Sequence, residues 1–365
     1  MTGLDRLGIP VCMAVRPNSR GLAVSQGKGL ELIAAKVSAA AESIEAWHAE
    51  RPLCQVLLER YDDLSERARV VDPSRLPLAR NGSFVSNSRI PWTPAIEISS
   101  EESVWVPFEL VHADATLPRM PGSGSFVFST NGLASGNNAA EAVLHAACEL
   151  IERDAIALWK QRSEQCQTAT RIALESVDDP DCVSLLERFD KSGITPMLWD
   201  VTSDIGIPAI RVLIHDRWSA AENTPFPTAF GAGCHPDRGV ALSRALTEAA
   251  QSRLTAIAGS RDDGPRHKYA ATQDRETANF YSNLAALPGQ RNFKSIATAA
   301  FDTIEADLLH VIGKMEIAGI DRVFIVDLTR PGSPLVVVRC IIPGLDGPSS
   351  SPSYLPGARA MAVSV

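Results

Sequence analysis

"ASGNNAAEAVLHAACELIERDA", residues 134–155, passes from small polar residues into an alanine-rich helical pattern that carries Glu141, Glu149 and Glu152 among Ala, Leu, Cys and Ile. Carboxylates set into an apolar pattern are costly to bury unless something binds them. The plan recurs twice. "SQGKGLELIAAKVSAAAESIE" (25–45) and "FGAGCHPDRGVALSRALTEAAQSR" (230–253) each read as a Gly-rich turn followed by an amphipathic alanine-rich helix. The three helices carry related pairs, Glu42 with Glu45, Glu149 with Glu152, and Glu248 with Gln251. Members three residues apart share one helix face.

A second element repeats around these helices. "TGLDRLGIPVCMAVRP" (2–17), "VTSDIGIPAIRVLIHD" (201–216) and "DLTRPGSPLVVVRCIIP" (327–343) each hold a Thr, a Gly-containing turn, a Pro and a run rich in Val and Ile. Turn chemistry leading into a β-branched run predicts a strand entered through a tight turn. Apolar runs precede the second and third copies ("ITPMLWDV", "RVFIVDL"), which predicts hairpins or neighbouring strands. The expected fold is therefore α/β (α+β), with duplicated strand–turn–helix units forming mixed or antiparallel sheets packed with helices. Loops are expected at 79–89, 119–125 and 221–227, where Gly, Pro, Ser and Asn cluster. The tail from Pro343 lacks periodicity until its last few residues and reads as a linker-like arm, either disordered or reaching into a site.

Composition narrows the function. The chain has 365 residues, 45% of them hydrophobic, enough for a large core. A formal net charge of -8 with no Lys/Arg cluster argues against nucleic-acid binding. No apolar run approaches the ~20 residues of a spanning helix, and "MTGLDRLGIPVC" lacks a signal-peptide pattern, so the expectation is cytoplasmic and away from membranes. Seven scattered cysteines without a CxxC pair fit reduced thiols, and seven dispersed histidines give no HExxH or HxH site. Cys234 and His235 are adjacent, which on a strand sends them to opposite faces and argues against a nucleophile pair.

An isolated ExxE pair on such a helix ordinarily means a solvated face, since Glu is a good helix former. Three features weigh against that here. Glu149 and Glu152 are interleaved with Cys148, Leu150 and Ile151, the arrangement recurs, and each helix follows a Gly-rich turn whose backbone N–H groups would favour an anion. Carboxylates beside anion-friendly helix starts describe a nucleotide–metal site, with magnesium held by a few carboxylates and substrate phosphates. No GxxxxGK[ST] motif occurs; "SQGKG" lacks its spacing. Arg153 and Arg253 are the guanidinium candidates for phosphate, each weighed against an ordinary ion pair with a neighbouring Glu.

These stretches, with "TNGLASGNNAAEAVLHAACELIERDA", "SRALTEAAQSRLTAIAGSRDD" and "VFIVDLTRPGSPLVVVRCIIPGLDG", resemble the YcaO superfamily over about Thr2 to Leu345. The resemblance implies an enzyme that uses ATP and Mg2+ without a P-loop to activate a backbone amide oxygen of a peptide by phosphorylation. It implies that Ser38, Glu42 and Glu45 match the family's SxxxExxE group, with Glu42 and Glu45 on metal. Asn137, Glu141, Glu149 and Glu152 would form the second nucleotide–metal group, with Glu149 and Glu152 on metal, and Arg153 beside them is the guanidinium expected to bind the nucleotide. Glu248, Gln251 and Arg253 would form the catalytic third helix nearest the phosphates. On this reading residues 1–20 are an N-terminal strand/turn segment, 21–345 a single catalytic domain and 346–365 a Pro/Ser/Gly-rich arm. Family members carry sequence ahead of "TGLDRLGIPV", so either the start is misplaced or some adenosine contacts are missing. The ending "PSYLPGARAMAVSV" lacks a PxPxP tail and resembles members partnered with a TfuA-like protein, implying thioamide formation. The alternatives are an azoline-forming cyclodehydratase and a non-catalytic accessory to a ribosomal-protein methylthiotransferase. An isologous homodimer is expected.

Overall fold

The computed structural model describes residues 1–82, 84–217, 228–261 and 275–363; the loop expected at 221–227 lies outside them. The strands are β1 (Val11–Val15), β2 (Val24–Lys28), β3 (Leu57–Arg60), β4 (Arg89–Glu97), β5 (Ser103–Pro107), β6 (Leu133–Gly136), β7 (Ile194–Asp200), β8 (Ala209–Asp216), β9 (Thr228–Cys234), β10 (Phe324–Asp327) and β11 (Val336–Ile341). They form a β1–β2 ribbon, a six-stranded sheet ordered β3–β4–β10–β11–β6 with β5 also on β4, and a β7–β8–β9 sheet. All these pairings are antiparallel. The principal helices are α1 (Leu32–Glu50), α2 (Tyr61–Ser65), α3 (Ala139–Gln161), α4 (Glu164–Ala169), α5 (Pro180–Lys191), α6 (Arg238–Ala258), α7 (Arg275–Ala286), α8 (Ile304–Ile317) and α9 (Ala358–Val363). The α+β expectation holds, and the three Pro-led runs become β1, β8 and β11, the latter two in antiparallel hairpins with β7 and β10.

One expectation is corrected. The glycines read as turns before the helices lie inside strands: Gly27 in β2, Gly136 in β6, Gly231 and Gly233 in β9. A Cβ on Gly27 would stand 2.0 Å from Ala39 N and 2.3 Å from Ala35 O of α1. One on Gly231 would stand 2.2 Å from Ala245 O and 2.3 Å from Ala249 N of α6, and one on Gly136 2.6 Å from Ala142 N of α3. Glycine in a strand interior marks such close backbone approach. The repeat is thus a strand with its following helix pressed against it, and alanines on the helix complete the contact.

Capping fixes where two of these helices begin. The Asn138 side chain accepts from Glu141 N, and Asp237 accepts from Gly239 N and Val240 N. Gly259, in the left-handed region at φ 57°, ends α6. Buried Ala142, Ala146, Ile151, Ala155 and Trp159 place one side of α3 in a core shared with Met197, Trp199 and Leu213 of the β7–β8–β9 sheet. The C-terminal arm is docked, not loose: Asp346, Tyr354 and Ala360 are buried.

Candidate active site

The close strand–helix packing sets the helix faces that carry the glutamates. Glu45 of α1 reaches across to β6, where its Oε1 accepts from Ser135 N at 2.8 Å and Ser135 Oγ at 2.7 Å. Glu42, one turn earlier, accepts from Gln26 N of β2 at 3.2 Å. Ser38 precedes it by four residues on the same side, half-buried. On α3, Glu149 accepts from Gly132 N at 3.0 Å, and Arg153 approaches Glu152 at 3.2 Å and Glu149 at 3.6 Å. On α6, Glu248 pairs with Lys28 of β2. Three repeats therefore contribute acids to one neighbourhood.

The electrostatics report that convergence. Burial pushes Glu45 up to about 7, and the charges of Glu42 and Glu149 add to the push against its Ser135 hydrogen bonds. Burial likewise takes Glu152 up to about 7; Arg153 opposes this and Glu248 reinforces it. Glu42 is open to the surface at one side, yet desolvation of its carboxyl raises its pKa against Gln26 N and Lys28. Glu248 goes the other way: burial works to raise it, but Lys28 and Arg153 outweigh burial and hold it below the usual range. Carboxylates kept from water and crowded by like charge bind protons or cations more readily than free ones.

Asn137 and Glu141 sit at the start of α3, where the Glu141 carboxylate accepts from Asn137 N and Nδ2, both at 2.9 Å. Gln251 lies half-buried one turn beyond Glu248 on its face. Arg253 departs from expectation. Two residues on from Gln251, it stands on another side of α6, because residues two apart do not face each other. It is buried, and its guanidinium meets Asp216 at 2.8 Å and Asp5 at 3.5 Å. This geometry ties the N-terminal segment and β8 to α6 through the ion pair that the sequence leaves as the alternative to a phosphate contact.

The cations beside the glutamates include Arg153, Lys28 and Arg244, with Arg261 acting on Glu42 and Arg339 on Glu149. In the sequence Lys28 stands out only within "SQGKG", which lacks P-loop spacing, and no local pattern marks Arg244. Arg244 Nη2 lies 2.8 Å from His145 Nε2; a guanidinium only donates, so the imidazole accepts there as a neutral ring. Burial, then Arg244 and Lys28, drive His145 down to about 3. Cys234 is buried, with its thiol raised well above the ordinary value by burial and by Cys148, which excludes it as a ready nucleophile.

Among the described residues no three His, Cys, Asp or Glu side chains form a closed metal cage. Magnesium does not require one, since it is commonly held by one or two carboxylates with phosphate and water oxygens completing its shell. Desolvated Glu45 and Glu152 offer hard oxygen donors beside Arg153 and Lys28, a set that fits a magnesium-bound polyphosphate.

Comparison with known proteins agrees. A family model described as YcaO cyclodehydratase, ATP- and Mg2+-binding, matches residues 26–346. An uncharacterised protein from the tfuA 3′ region of Rhizobium leguminosarum bv. trifolii is 38% identical, over 99% of this chain and 86% of its own length. An uncharacterised protein of Methanothermobacter thermautotrophicus is 34% identical over 95% of this chain and 88% of its own. Among solved structures, YcaO from Methanopyrus kandleri bound with AMPPCP and Mg2+ superposes with a TM-score of 0.71 at 22% identity, covering 94% of this chain and 84% of that one. A heterocyclase in complex with substrate and cofactor gives a TM-score of 0.74 at 22% identity and 92% coverage, but this chain spans only 46% of its length.

Proposed function

The chain belongs to the YcaO family, and from that premise we propose that it thioamidates a polypeptide backbone, using ATP and magnesium together with a TfuA-like partner. The observation that carries the ATP-dependent reading is the convergence of Glu42, Glu45, Glu149, Glu152 and Glu248 from three helices beside Arg153 and Lys28. The tfuA neighbourhood of the Rhizobium relative supports the partner and, through it, the thioamide product.

Glu42, Glu45, Glu149 and Glu152 would hold magnesium, which supplies charge neutralisation to the phosphates. Arg153 and Lys28 would face phosphate oxygens, and Asn137 with Glu141 would hold the nucleoside end. In the reaction, sulfide adds to the amide carbonyl carbon, and the resulting oxyanion takes the γ-phosphoryl of ATP as ADP departs. Expulsion of phosphate and loss of the sulfur-bound proton leave C=S in place of C=O. An amide oxygen leaves poorly and a phosphate leaves well, so the protein's contribution is positioning and charge neutralisation.

The test is mass spectrometry of candidate peptides incubated with the protein, ATP, magnesium, sulfide and a TfuA-like protein, with ADP followed in parallel. Peptide-dependent ADP release with a gain equal to the sulfur–oxygen difference is expected. Loss of one water from a Cys-, Ser- or Thr-containing peptide would replace the thioamide reading with azoline formation. Nucleotide binding without peptide-dependent turnover would favour the accessory reading.

A further inference from the structure

Close to this site stands Arg211, which has the Tyr281 phenol nearby but no carboxylate partner among the described residues. Arg211 lies in β8, opposite Trp199 of β7 and Ala232 of β9. Its guanidinium lies 5.2 Å from the ring centre of Trp159 at the end of α3 and 4.9 Å from that of Phe230 in β9. It is half-buried, and among the described residues no hydrogen-bond acceptor or carboxylate meets it. Its neighbours in the same aromatic stack are served differently. Arg171, over Trp199, donates to the carbonyls of Leu284 and Ala285. A guanidinium between rings keeps its edge free for a planar, bidentate acceptor.

Lys160 follows Trp159 directly, and its ammonium meets only a neutral group among the described residues, Ser349 Oγ at 2.9 Å. Burial lowers its pKa, and Arg211 and Arg153 lower it further, so the three cations share one field. Arg211 is half-buried and Lys160 is exposed beside it, and among the described residues no carboxylate stands between the two, an arrangement that attracts an anion. Lys160 also stands seven residues beyond Arg153, hence on the same face of α3, about 10 Å further along the axis. An extended chain covers that span in about three residues.

We propose that Arg211 and Lys160 form a carboxylate subsite that anchors the polypeptide substrate about three residues from the amide that reacts. The carboxylate is either an acidic side chain or the chain's C-terminus. Arg211 takes it bidentately between Trp159 and Phe230, and Lys160 neutralises the remaining charge. The subsite rests on the reading above that the substrate is a polypeptide, but its occupancy can be measured without turnover.

Three short probes separate the cases: acetyl-trialanine with a free C-terminus, acetyl-Ala-Glu-Ala-amide, and acetyl-Ala-Gln-Ala-amide as the neutral control. Each is titrated into the full chain holding magnesium and AMPPCP, with the Trp159 indole resonance as readout, assigned by its loss in Trp159→Phe. Saturable shifts with at least one acidic probe and none with the neutral one are expected. Which acidic probe binds identifies the source of the carboxylate. Arg211→Met and Lys160→Met should each weaken binding about tenfold or more. Should Arg211→Met fail to fold, Arg211→Lys keeps the charge but loses the fork and should still weaken binding severalfold. Equal binding of the neutral probe, or full binding by these variants, overturns the subsite. Failure of the wild-type chain to bind magnesium–AMPPCP would instead overturn the proposed function.

Discussion

At the residue scale, the candidate site is marked by Glu42, Glu45 and Glu152, whose burial makes their ionised carboxylates costly. Glu45 has a folded pKa of about 7 against an ordinary 4.5. A raised folded pKa gives stability that is complete below the unfolded value and is lost as pH rises through the folded one. Metal-free protein should therefore lose stability from this group between about pH 4.5 and 7, on the order of 3 kcal/mol by pH 8. Glu45→Gln stays neutral, and its amide oxygen can still accept from Ser135 N. In chelator the variant should match the wild type at about pH 4 and melt higher at about pH 8. A stability gap that does not widen with pH would remove the account of Glu45 as a desolvated, uncompensated acid. The α3 acids have a different readout. Glu149→Gln and Glu152→Gln should fold and bind magnesium–ATP about tenfold or more weakly by calorimetry; unchanged affinity in both would place the metal elsewhere, and unfolding of both would mark them as structural.

At the element scale, the strand glycines decide whether the acids can meet. Gly27→Ala would drive a methyl into the backbone of α1, so it should cost about 1–3 kcal/mol or more and weaken magnesium–nucleotide binding as α1 shifts. Gly313, in the middle of α8, has nothing within 4 Å of an added Cβ, so Gly313→Ala should stabilise by about 0.5–1 kcal/mol. Denaturant midpoints for the pair check both signs, and equal effects would sink the close-packing argument. The contrast also explains what the sequence made legible. Repeated Gly-then-alanine patterns revealed the three helices and their acids, because period and spacing are written locally. They did not reveal that the glycines sit in strands, since a Gly-rich stretch before a helix has the composition of a turn. Lys28 and Arg244 were hidden for the same reason: their role comes from β2 and α6 being brought to α3, which no local pattern records. Of the two roles the sequence leaves open for Arg253, phosphate contact or ion pair, the pairs with Asp5 and Asp216 show the second, and proximity to Gln251 says nothing about a side chain two positions round the helix.

At the scale of the whole molecule, the two ends of the chain are tied into the frame that carries the site. Asp5 and Asp216 hold Arg253, joining the N-terminal segment to β8 and α6. The C-terminal arm is latched more directly to α3. Asp154, fully buried and next to Arg153, accepts from Arg359 Nε and Nη2 at 3.0 Å and from Asp346 N at 2.9 Å. The Asp346 carboxylate in turn takes Tyr354 OH at 2.7 Å, Gly357 N at 2.8 Å and Ala360 N at 2.9 Å. The Pro/Ser/Gly-rich composition leaves the arm either disordered or docked; one buried acid on α3 and one within the arm supply the fixed partners that composition cannot show. Removing one member of a buried pair leaves the other charge uncompensated, at about 3–5 kcal/mol. Arg359→Ala should therefore melt well below the wild type, while Asp154→Asn in the same chain should recover part of the loss by discharging the orphaned acid. Because Asp154 and Arg153 are consecutive on α3, the single variant should also weaken magnesium–nucleotide binding. An Arg359→Ala protein with an unchanged melting midpoint would mean that the arm adds no stability to the frame, and that Asp154 finds its compensation from water.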